Sequence, residues 1–269
     1  MIQNVYRLSP DRACAFIGTG QFNCTNADFS VVAGGFTNTA CGVNSFIGSG
    51  DTNTIYPGGS CSVIAGGNNN KTDHPFSFIG GGNLHDISAI NGTIVGGVHN
   101  TVSGAVSFVG GGSQNSASAE MAAVVGGFTN TASGACSFVG GGDTNAASGI
   151  YSVIGGGSNH VASADHAAIV GGNFNQASGP LTFIGGGSGN VVTQQGNAIL
   201  GGVNNNDGTL AGVMIVGNNI PAAIPNALHI NGLWANTMCG PPSTTYPLGT
   251  VYWNYFGALA ATDKVLVIC

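Results

Sequence analysis

Residues 137–164 read SFVGGGDTNAASGIYSVIGGGSNHVASA: a serine, two apolar residues and three glycines, then the same arrangement fifteen residues later. Related hexads begin at 15, 30, 45, 62, 77, 93, 107, 123, 168, 182, 198 and 214, so fourteen copies follow one another at spacings of 14 to 17 residues. A short period sustained over some 200 residues marks a solenoid in which each unit stacks on the last. The motif is therefore read first as architecture.

The two apolar residues are neighbours, and neighbours in an extended strand point to opposite faces. Both faces are then expected to be covered. The first position runs Phe16, Val31, Phe46, Val63, Phe78, Ile94, Phe108, alternating large and small, as stacked layers do when they interleave to native density. The second is never aromatic and runs through Ile17, Val32, Ile79, Val95, Val125, Val170, Leu200 and Val216. A coil of about 15 residues has two short strands, and its interior takes only one of these rows. The other needs a partner, because a continuous apolar stripe of that length exceeds what soluble monomers normally expose. A threefold axis supplies the simplest closed partner, and a twofold one also meets this requirement.

The glycines allow positive φ and close backbone approach at a corner. Asparagine recurs seven or eight residues after each motif start, at Asn38, Asn53, Asn115, Asn130, Asn145, Asn175 and Asn190 among others, with His85 and His160 as interruptions. Asparagine tolerates the left-handed corner and can bond the amide one coil away, which predicts a structural ladder. Small residues, often Ala-Ser-Gly as at 132, 147 and 177, mark a second strand and return turn. At about 4.8 Å per coil the rod is roughly 65 Å long.

On these residues, residues 15–219 resemble the head repeats of YadA-like trimeric autotransporter adhesins, and similar arrays occur in trimeric fibres of phages and large viruses. The resemblance implies an all-β, left-handed parallel β-roll of about 14 coils, homotrimeric, that binds a host ligand and has no catalytic residues. The adhesins also carry an export signal, a heptad stalk and a membrane anchor. This chain displays none of these, which favours a virion or phage fibre assembled in the cytoplasm.

Composition narrows the partners. Only 14 of 269 residues are charged and 48 are glycine, with a formal charge of -6 and four cations, Arg7, Arg12, Lys71 and Lys264. No basic surface exists for a phosphate backbone or an anionic membrane, so neither nucleic-acid binding nor membrane insertion is expected. The seven cysteines form no C-x-x-C pair, and no metal or cofactor is expected. Cys14, Cys61 and Cys136 immediately precede the motif, where other copies have Phe29, Phe76, Val106, Tyr151 or Leu181, and read as small hydrophobes in a core slot.

Composition shifts near 220: five of nine prolines, both tryptophans and three of six tyrosines fall in the last 52 residues. Residues 220–269 are read as a β cap or tip, with a hairpin in 249–269, and residues 1–14 as a cap or attachment to a larger particle. Trp234, Tyr246, Tyr252, Trp253, Tyr255 and Phe256 are the candidate receptor- or glycan-contacting residues, since aromatic faces stack on sugars; they also suit the packing of a trimer cap. Asp51 and Asp143 share a repeat position six coils apart, too far for acid/base work within one chain, which leaves only a polysaccharide hydrolase site shared between chains. Thr-x-Asn-Thr-like stretches at 37–39, 52–54 and 129–131 suggest ice binding, but the pattern is discontinuous. The expectation is a non-enzymatic fibre, with a structural filament or surface-layer component as the alternative.

Overall fold

The computed structural model describes residues 13–230, and the backbone of residues 7–8, 251–252 and 267–268. The chain winds as a parallel β-solenoid without a helix among the described residues. Strands, of two residues in all but the last three of the first sheet, stack into one sheet of 15 strands, which begins at Phe16–Ile17 and ends at Leu228–Ile230, and another of 13, from Arg7–Leu8 to Val191–Val192. Both ladders thus run beyond the 15–219 range expected from the motif. Val251–Tyr252 pairs antiparallel with Val267–Ile268.

Strand register corrects the repeat as read from the sequence. Phe78 pairs with Thr93 and Ile79 with Ile94, so the copy assigned to 93 starts one residue earlier. The same slip applies at 123, 168, 198 and 214, where Ala123, Ala168, Ala198 and Met214 are the first residues of the aligned pairs. With it removed the period is 15 residues almost throughout. One 17-residue coil between Phe46 and Val63 absorbs its two extra residues in the corner at 56–60 without disturbing the pairing on either side.

The core is a narrow column. The inner first-sheet row, Ile17 and the terminal His229 aside, is fully buried and entirely Ile or Val, including Ile47, Ile79, Ile94 and Ile184; the facing second-sheet row is mostly Ala, Val and Ile. Volumes compensate across it. Opposite Ile87 the usual inward serine gives way to Gly92, whose Cβ would sit 2.5 Å from Ile87 Cγ2 and 2.8 Å from Val102 Cγ1. Inward serines remain where room exists, and some satisfy the corner carbonyl: Ser30 Oγ donates to Ala27 O at 2.7 Å and Ser77 Oγ to His74 O at 2.8 Å, whereas the buried Oγ atoms of Ser45, Ser137 and Ser152 close no hydrogen bond.

Of the three glycines, the first and third approach the next coil's carbonyl closely while the second stands clear, and the third alone combines that approach with the asparagine side chain beside it. At Gly127 φ is +92°, and a Cβ would fall inside van der Waals contact of the Gly142 carbonyl oxygen and 2.6 Å from Asn130 Nδ2; at Gly126 nothing lies within 4 Å.

At the end of the second sheet the buried Asp207 takes over from the small inward residues. It accepts hydrogen bonds from the Thr193 and Gln194 backbone N–H groups, Thr193 Oγ1 and Asn197 Nδ2, at 2.7 to 3.0 Å. A buried carboxylate is tolerable only when its lone pairs are satisfied in this way.

Candidate functional site

The ladder asparagines Asn38, Asn53, Asn115, Asn130, Asn145, Asn175 and Asn190 are all buried. Their bonding differs from an amide-to-amide chain. Asn130 donates its backbone N–H to Asn115 Oδ1 at 2.9 Å, while its Nδ2 donates to the Gly126 carbonyl of its own coil and the Gly142 carbonyl of the next, at 3.0 and 2.9 Å. Side-chain amides meet directly only in some coils, as in Asn53 to Asn38 at 3.1 Å. The left-handed residue is the one before each asparagine, for instance Thr129 at φ 54°. The ladder fastens adjacent glycine corners together and offers no ligand a free group.

His85 and His160 occupy the same slot with fewer bonds. His85 Nδ1 accepts from the Asn100 N–H at 3.1 Å, and its buried Nε2, aimed at the Gly97 carbonyl, closes no hydrogen bond. His160 repeats this beneath Asn175. Burial pushes both imidazoles below their usual pKa. Each is neutral when folded and binds a proton more readily when unfolded, so its contribution is complete above about pH 6.5 and declines as pH falls through that value. Replacing both with Asn is expected to raise stability by about 1 kcal/mol per site at pH 7.5, from the restored hydrogen bonds, and by more at pH 5. Hydrogen exchange of the flanking coils at the two pH values checks this; an equal effect at both would remove the imidazoles as the cause.

The outer residues of the first sheet form the most distinctive surface. Phe16, Phe46, Phe78, Phe108, Phe138 and Phe183 are 36–57% exposed. Wherever the outer residue is Phe, the next outward residue is Gly, and from Phe46 onward the ring lies over it: Phe108 Cε1 is 3.2 Å from where a Gly110 Cβ would stand. Wherever it is Thr93, Ala123, Ala168 or Ala198, the next outward residue is Val95, Val125, Val170 or Leu200. Val31 and Val63 are followed by Ala33 and Ala65, Val153 by Gly155 and Met214 by Val216. Summed volume on this face thus stays similar in most coils, with Val153/Gly155 smaller and Met214/Val216 larger.

These valines and Leu200, expected as the second apolar position, are 48–56% exposed instead. The inner slots in their coils are filled by Ile94, Val124, Ile169 and Ile199.

The slot before each motif is also outward, against the expected core position. Phe29, Phe76, Val106, Met121, Tyr151 and Leu181 are half-exposed there, and Cys14 and Cys61 are exposed. Every one of these residues has φ between 53° and 59°. For a non-glycine residue that conformation costs about 1–2 kcal/mol, and inward packing would reverse the corner. The opposite corner likewise presents Phe22, Phe36, Phe128 and Phe174 to the outside. The second sheet is different: its outer columns carry Thr39, Thr54, Thr101 and Thr131, and beside them an unbroken column of serines from Ser88 to Ser178.

Other sequence candidates fall apart or fall outside. Asp51 and Asp143 do share a column, linked through six coil-to-coil bridges, which places them about 29 Å apart. The paired threonines at 37/39 and 52/54 are followed by Asn69/Lys71 and Leu84/Asp86, so the flat array ends after two coils. Trp234, Tyr246, Trp253, Tyr255 and Phe256 lie outside the described residues, and of Tyr252 only the backbone is described. Among the described residues no group of three or more His, Cys, Asp or Glu is placed to hold a metal ion, and no helix is long and apolar enough to cross a membrane.

One cluster went unnoticed in the sequence: Asn69, Lys71, Leu84, Asp86, His99 and Thr101 line a surface hollow on three successive coils. Writing the chain in rows of fifteen would have aligned them. No protein-family model matches the chain, and no curated protein matches it.

Proposed function

We propose that the chain is the subunit of a non-enzymatic, homotrimeric fibre, a left-handed roll borne on a virus or phage particle, which attaches to a host cell-surface receptor or glycan. The observation that carries the assembly is the exchange of bulk between the paired outer positions of the first sheet, which keeps the volume of that face similar in all but two coils, Val153/Gly155 and Met214/Val216. Water fills any gap, so a solvated face has no reason to exchange Phe/Gly for Ala/Val coil after coil; a packed face does. Strain points the same way. Large apolar side chains held outward at left-handed φ persist where a contact over-determines them.

A second copy with the same coil rise is the occupant that matches such a face level by level. Apolar residues continue round both flanking corners, so each subunit can meet two neighbours, as a ring of three requires and a single flat twofold contact does not. Residues 220–269 form the cap or tip in this reading, with Trp234, Tyr246, Tyr252, Trp253, Tyr255 and Phe256 packing the trimer end or meeting the receptor. The repeat pattern supports placement on a particle.

The experiment is cell or glycan-array binding by the purified full-length protein and by its Trp253→Ala/Tyr255→Ala variant. Binding by the first and at least tenfold weaker binding by the second is the expected outcome. Concentration-dependent lateral or end-to-end assembly with no cell binding would instead identify a structural filament, the reading that the apolar corners also favour.

A further inference from the structure

Lys71 is the one Lys or Arg whose side chain falls among the described residues, and it stands on the outer face of the second sheet. Asp86 lies in the next coil, with Lys71 Nζ 3.0 Å from Asp86 Oδ2 and both side chains substantially exposed. Register places Lys71, Asp86 and Thr101 in one column. Asn69, Leu84 and His99, two residues earlier in each coil, form the column beside it. Together the six line a hollow of about 220 Å³.

From residue 22 to residue 206 these two columns otherwise carry uncharged residues, among them Thr37, Thr39, Thr52, Thr54, Gln114, Thr129, Thr131 and Phe174, so the Lys71–Asp86 pair is a local departure from the repeat. Tyr56, 46% exposed, and Asp73 flank it, and Asp86 first, with Tyr56 and Asp73 adding, holds the Lys71 ammonium above its usual range. The one 17-residue coil supplies Tyr56, which places the irregular corner at the rim of the hollow.

Coil-to-coil spacing is about 4.8 Å, so the side chains of three successive coils span about 10 Å, the scale of a single sugar ring with its hydroxyls. Asp86 offers paired acceptors, Asn69 a donor and an acceptor, and Lys71 a further donor, the set that vicinal hydroxyls need; Leu84, 43% exposed, offers an apolar patch for the C–H face of the ring. The charge balance disfavours an acidic sugar, since Asp86 and Asp73 outweigh Lys71 and the chain carries -6.

We propose that this hollow binds a neutral pyranose unit of a cell-surface glycan. The proposal takes from the attachment reading only the source of the ligand; the site lies on the flank of the rod, away from the C-terminal aromatics. In saturation-transfer NMR with the full-length protein, methyl glycosides of glucose, galactose, mannose and N-acetylglucosamine are compared with sialyllactose. Transfer to ring protons of at least one neutral glycoside is expected, stronger than to the sialic acid ring. It should fall about tenfold in Lys71→Ala and in Leu84→Asn, a substitution suited to the φ of 59° there, and persist in Trp253→Ala.

No transfer to any neutral glycoside, or transfer that the two hollow variants leave intact, overturns the proposal. Cell attachment, measured in parallel, separates the two readings. Sugar binding at the hollow by a protein that never attaches to cells sinks the attachment reading alone, and attachment without any sugar signal sinks this site alone.

Discussion

Placing glutamate at both Phe108 and Phe138 is expected to leave the solenoid folded and to reduce the assembly to single chains. Both rings point outward and are 36–38% exposed in the isolated chain, so the substitution removes nothing from the Ile and Val column beneath them. Half-burying a Phe side chain contributes about 1 kcal/mol. A carboxylate forced into the same contact loses that and adds several kcal/mol of desolvation per ion, and in the proposed trimer the change is repeated in every subunit. Sedimentation velocity should show the mass falling to that of one chain, with the far-ultraviolet circular dichroism unchanged. Glutamates at Ser118 and Ser148, on the outer second-sheet face, should leave the assembly intact. Equal mass for both pairs of variants would mean that the first-sheet face is not the contact.

The second large effect is inside the coil. Gly127→Ala is expected to destabilise the chain by about 3 kcal/mol, because its Cβ strikes the Gly142 carbonyl and the Asn130 amide at a φ of +92°. Gly126→Ala, one residue earlier with open space around it, should be nearly neutral. Chemical denaturation of the two variants beside the parent protein measures the difference. If both alanines cost the same, the close approach of successive corners at Gly127 is not what fixes the stacking.

Much of this fold was legible because the coil is so short. A fifteen-residue turn with two two-residue strands has few inward positions, and each leaves its own trace: β-branched residues in the first sheet, small ones in the second, asparagine at the corner. The register of five copies was not legible, and the reason is the volume exchange itself. Thr93-Ile94-Val95 imitates Ser77-Phe78-Ile79 once the outer bulk has moved two places along, and only strand pairing shows that Ile94 rather than Val95 is inward. The corner holding Cys14, Phe29 and Val106 was misread for a related reason. Left-handed φ is normally signalled by Gly or Asn; Asn44, Asn91 and Gly196 do stand in this column, but Phe, Val, Leu and Tyr in the other coils mask them. The Lys71 hollow was hidden because its members are fifteen residues apart and only stacking brings them together.

The mass of the native assembly tests the central claim most directly. Native mass spectrometry of the full-length protein at micromolar concentration should give three times 26.5 kDa, with the outer first-sheet residues around Phe108 and Phe138 protected from solvent labelling. A stable species of 26.5 kDa in which those residues label freely would contradict it.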